Sequence, residues 1–63
     1  MSDRVVIEVD LSPELALALA QFVKRVGWSE ISANAIDEEE AHDIRNALEY
    51  LRDGLALKGF APR

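Results

Sequence analysis

Cysteine is absent from the 63 residues, which excludes disulfides and thiolate metal sites. Histidine occurs once, as His42. Without a cysteine, and with serines that read as caps or small turn residues, no set of nucleophile, base and orienting group can be assembled. The three glycines, Gly27, Gly54 and Gly59, are isolated, so there is no glycine-rich phosphate loop. No long apolar run is present, and Met1-Ser-Asp-Arg lacks the basic start of a signal peptide. A soluble, cytoplasmic protein without a membrane partner is expected. Cations are outnumbered, seven Lys and Arg against twelve Asp and Glu, and the net charge is −5. Long-range electrostatics therefore oppose nucleic acid and anionic membranes. Internal repeats, linkers and low-complexity segments are also missing.

What is there is ordinary for a folded domain: 49% hydrophobic and 30% charged residues, too apolar for disorder. The length allows one domain, residues 1–63. A chain this short buries only about 60% of the surface its unfolded form exposes, so its stability is marginal. With disulfides excluded, oligomerisation is the simplest remedy.

The clearest signals lie between Asp37 and Lys58. Ala41, Ile44, Leu48, Leu51 and Leu55 recur at helical spacing on one stripe. Asp37 can cap the start, and Glu40, three residues on, can complete a capping box. Glu38 and Glu39 suit the positive end of the helix dipole. A helix over 38–58 is expected, with a break at Gly54 as the alternative. Phe60 is expected to pack back on the core, and 59–63 to form a tail that Pro62 keeps from being helical.

Residues 4–11 read as a strand. Val5, Val6, Ile7 and Val9 are β-branched; Val5, Ile7, Val9 and Leu11 share one face, Arg4, Val6, Glu8 and Asp10 the other. Ser12-Pro13-Glu14 then reads as a helix start. That helix, 13–26, should stop at Gly27 in the left-handed position after its end. Leu15, Leu19, Phe22, Val23 and Val26 form its expected buried stripe. Leu17 falls nearly opposite and reads as a singly exposed leucine, with a subunit or partner contact as the alternative. Residues 30–35 are read as a helical turn capped by Ser29, with a second strand through Ile31, Ala33 and Ala35 as the alternative. Trp28 and Ile36 are expected to bury at its two ends.

Three pieces taken together, Ala20-Gln-Phe-Val-Lys-Arg-Val-Gly-Trp-Ser29, Asp37-Glu-Glu-Glu-Ala41 with Arg45 and Ala47, and Gly59-Phe-Ala-Pro-Arg63, resemble a group of short, uncharacterised bacterial proteins, some from phages or mobile elements. The resemblance covers residues from about 15 to the end and implies no activity and no site residue. The order strand, helix, turn, helix over residues 4–53 is also similar to the ribbon-helix-helix repressors. That likeness would imply a dimeric DNA-binding regulator or antitoxin. The outward strand face, Arg4, Val6 and Glu8, and the acidic opening of the last helix speak against it.

Glu39 and His42 form an E-x-x-H pair of the kind used in di-iron bundles, with Asp43 nearby. The pair lies off the apolar stripe, so an exposed acidic turn is the preferred reading. The acidic run Asp37 to Glu40 could dock a basic partner but reads first as a solvated helix start.

The sequence therefore predicts an α+β fold, a single domain of one N-terminal strand, a helix, a short helical turn and a long helix. It is expected to form a homodimer by pairing the strand with its copy. No catalytic residue, cofactor or metal ligand is expected. Val5, Ile7, Val9, Leu17 and Trp28 are the candidate dimer or partner contacts. The function that fits is a non-enzymatic interaction module binding itself and another protein, with a ribbon-helix-helix regulator as the alternative.

Overall fold

A computed structural model describes residues 3–60. Three helices follow one another: α1, Pro13–Arg25; α2, Trp28–Ala33; and α3, Glu38–Leu57. Both α1 and α2 pack on α3. Residues 3–11 form an N-terminal arm with neither helix nor strand, and every residue of the arm is exposed. Among the described residues the protein is all-α, not α+β. The expected strand over 4–11 is overturned for a physical reason. Stiff β-branched side chains favour an extended backbone, but a strand exists only against a second strand. Within the chain the one other candidate, residues 29–36, is taken by α2 and the turn after it. The ribbon-helix-helix pattern needs a strand ribbon, and among the described residues no strand forms one.

The helix ends follow local chemistry. At α1, the Leu15 N–H donates to Ser12 Oγ at 3.2 Å, and Pro13 occupies the first turn, where its missing N–H costs nothing. At α3, the Glu40 N–H donates to Asp37 Oδ1 at 2.8 Å. The Glu40 carboxylate reaches back to the Ile36 N–H at 2.7 Å, one residue beyond the cap itself. α3 runs through Gly54 without a break. It closes with a Schellman motif: Gly59 at φ 92° lets its own N–H reach the Ala56 carbonyl and the Phe60 N–H reach the Leu55 carbonyl. Phe60 and Leu55, the two residues that such a motif brings together, are both half-buried. The tail beyond Phe60 lies outside the described residues.

Gly27 departs from its expected role. Its φ is −101°, not left-handed, and it is the N-cap of α2. The Glu30 carboxylate accepts from the Gly27 N–H at 2.7 Å. Glycine has no side chain to return a bond, so only half of a capping box forms. α2 accordingly begins at Trp28, two residues before the expected turn, and Ser29 lies inside it. Ile36 was expected to bury; it sits in the turn before α3 and is exposed.

The core is small. Among the described residues, Ala16 and Ala20 of α1, Ile31 of α2 and Ala41 of α3 are the buried hydrophobic ones, and no large side chain is fully enclosed. α1 has turned relative to its expected orientation. Its inward face centres on Ala16 and Ala20, with Leu19 and Val23 half-buried beside them, while Leu15 and Phe22 are exposed. Alanine permits close helix approach, and that approach selects the small residues over the large ones. On α3 the expected stripe does face inward: Ala41 is buried, Ile44, Leu48 and Leu55 are half-buried, and Leu51 lies at the margin.

Among the described residues Ile31 is the one large buried side chain, and it holds α2. Ile31→Ala is expected to cost about 2–5 kcal/mol, enough to unfold much of so small a domain. A urea titration within a few tenths of a kcal/mol of the parent would show that α2 does not pack as described.

Candidate interaction surface

The helices place apolar side chains where nothing in the same chain covers them. On α1, Leu15 and Phe22 are seven residues apart and share a flank roughly 130° from the alanine face, at about 3.6 residues per turn. Val26, just after the helix, extends that flank. Phe22 and Val26 face Ile44 and Leu48 of α3 across a groove floored by Ile31. The groove is open to solvent and has a volume of about 650 Å³, with Arg25, Glu30 and Asn34 at its edge. That volume falls in the range of sites that hold a ligand or a few side chains. A second hollow of about 270 Å³ shares Val26, Ile31 and Leu48 with the first and adds Trp28, Arg45, Glu49 and Arg52.

The polar groups around the groove are mostly engaged locally. Arg25 Nη2 donates to Gln21 Oε1 at 3.3 Å. Asn34 Nδ2 donates to the Glu30 carbonyl at 2.8 Å. Arg45 and Glu49 approach to 3.9 Å one turn apart on α3, and Arg52 and Asp53 to 3.8 Å. These exposed pairs are weak and exchangeable.

The sequence-predicted contacts do not converge on this groove. Val5, Ile7 and Val9 lie in the arm, and all three are exposed. Leu17 is 44% exposed on the opposite flank of α1 from Phe22. Trp28 lines the smaller hollow, and its ring lies 4.8 Å from that of His42, tilted by 40°. His42 thus meets an aromatic ring of α2. Among the described residues no three His, Cys, Asp or Glu side chains gather as a metal site would require. Phe22, Val26, Ile44 and Leu48 of the groove lie on stripes read as buried in the sequence, and Ile31 falls in the expected helical turn. The missed signal was that α1 is apolar over a wider arc than two neighbours can cover.

Residues 1–63 match the profile of a family described as of unknown function, DUF7706. The chain belongs to that family. No curated protein and no solved structure matches it. For this DUF7706 member the geometry therefore speaks alone. Among its described residues no helix is long and apolar enough to cross a membrane.

The Trp28–His42 contact joins the start of α2 to α3. A double-mutant cycle on Trp28→Leu and His42→Ala is expected to give a coupling of about 0.5–1.5 kcal/mol. Strict additivity of the two changes would mean that the rings do not meet in solution.

Proposed function

We propose that this protein is a small, cytosolic, non-enzymatic interaction module that binds polypeptide through the groove between α1, α2 and α3. The carrying observation is the groove itself: five large apolar residues line it, of which only Ile31 is buried. Contiguous apolar surface rimmed by polar groups is characteristic of protein interaction sites. The chain's small core supports the reading, since a domain with so little internal burial gains from covering such a surface. The charge of −5 disfavours nucleic acid as the partner, because phosphate binding rests on neutralising cations.

Affinity capture from the native host tests the proposal. Phe22 is more than half exposed, so Phe22→Ser is expected to leave the helical circular dichroism intact and to abolish capture of the protein partner. Capture that is indifferent to Phe22→Ser would move the interaction elsewhere. An anisotropy titration with genomic DNA fragments at about 50 mM salt, where phosphate contacts are strongest, is expected to show no sequence-selective binding.

A further inference from the structure

We infer that the N-terminal arm, residues 3–11, pairs with the same arm of a second copy as a two-stranded antiparallel ribbon centred on Ile7. This surface is separate from the groove. Val5, Ile7 and Val9 alternate along the arm and are 85%, 77% and 68% exposed. Among the described residues no backbone hydrogen bond reaches residues 3–11. Stiff β-branched side chains beside open backbone donors and acceptors form a template for another strand.

The strand it fits is its own copy, because the arm is complementary to itself. Residues opposite each other in an antiparallel pair share a face of the ribbon. The apolar positions therefore meet only when the two-fold axis falls on a residue, not between two. Centred on Ile7, the pairing sets Val5 opposite Val9 of the second copy and Ile7 opposite its counterpart. On the other face it sets Arg4 opposite Asp10 and diagonal to Glu8, and symmetry repeats both contacts. Every residue from 3 to 11 then has an opposite. Centring on Glu8 would oppose two glutamates, and centring on Val6 would leave Asp10 and Leu11 unpaired. In-register parallel strands would set each charge against its own kind, which is unfavourable.

In the single chain the Arg4 guanidinium stands over the Tyr50 ring, with Cζ 5.5 Å from its centre. Tyr50 is itself 68% exposed, so this contact is open to solvent and Arg4 can exchange it for a carboxylate. A free two-stranded ribbon is marginal in water. Here Leu11 runs directly into Ser12, the cap of α1, so a helix is fastened to the end of each strand. The polar face carries Arg4 against Glu8 and Asp10 on each strand. With acids in excess it offers no neutralising surface to phosphates. The ribbon is a contact between copies and not a reader of nucleic acid.

Sedimentation equilibrium from micromolar to several hundred micromolar is expected to show a dimer for the full chain. Arg4→Asp and Asp10→Arg each turn two attractive pairs into repulsive ones, so each variant alone should dimerise about 10-fold more weakly. An equimolar mixture of the two should recover the parent's affinity, because every facing pair in the mixed dimer is again of opposite sign. Neither change touches a helix, so circular dichroism should keep its helical signal. Ile7→Glu, at the centre, should abolish the dimer. The chain has no cysteine, so single nitroxide labels on Glu8→Cys and on Asp3→Cys read strand direction. Antiparallel pairing brings the labels at 8 together and holds those at 3 roughly 27 Å apart, at about 3.4 Å per residue. A chain monomeric throughout, a mixture no tighter than its components, or close labels at both positions would overturn the ribbon. Phe22→Ser should leave the dimer intact. A dimer lost with Phe22→Ser but indifferent to Ile7→Glu would place self-association in the groove and also overturn the ribbon.

Discussion

The packing of α1 on α3 through small side chains is the constraint on which the rest of the structure depends. Ala20 of α1 and Ala41 of α3 are fully covered, and these two helices pack on each other. The same choice limits the energy available. Each buried methylene contributes about 0.8 kcal/mol, and alanine has none beyond its methyl. Stabilisation must come from the flanking residues, Leu19, Val23, Ile44 and Leu48, and these are only half covered. The short α2 exists to extend that cover, and it does so with one residue, Ile31. A fold built on small contacts thus carries its larger hydrophobic side chains at the edge, where a second molecule can complete their burial.

Local physics was legible in the sequence, and non-local physics was not. Ser12-Pro13 and Asp37 with Glu40 act through bonds spanning a few residues, so their patterns identify helix starts without knowledge of the fold. Gly27 marks the limit of that approach. When two helices are joined by only Val26 and Gly27, a glycine can end the first or cap the second, and Glu30 decided for the second by bonding its N–H. The arm failed for a different reason. Alternation at Val5, Ile7 and Val9 specifies which face is apolar, but not that a partner strand exists. The rotation of α1 is a third case. Leu15 and Phe22 outweigh Ala16 and Ala20 in any count of apolar size, yet the helix turns toward the residues that its neighbour can approach.

The groove was hidden in the sequence for a related reason. Phe22, Val26, Ile44 and Leu48 were recognisable as apolar residues on inward stripes, and core and interface use the same residues at the same spacing. What separates them is whether the chain has enough of itself to cover them, a property of the assembled surface. His42 shows the converse. Its spacing to Glu39 suggested metal chemistry or a solvated turn, and neither reading required Trp28, which meets it from another helix.

Charge and apolarity are distributed so as to favour one class of partner. The acids of the first turn of α3, Glu38 to Glu40, serve its dipole and its cap. Arg45 and Arg52 stand roughly 8 and 18 Å further along the same helix, at 1.5 Å per residue. At physiological salt the Debye length is about 8 Å, so Arg52 is largely screened from the acidic turn. The net charge of −5 therefore describes the molecule from afar but not the groove close at hand. There the rim is of mixed sign and the floor apolar. A nucleic acid would bring phosphates to a surface whose arginines already approach Glu49 and Asp53, and it would leave Phe22, Ile44 and Leu48 uncovered. A polypeptide segment presenting apolar side chains would cover that floor without requiring the rim charges to change partners.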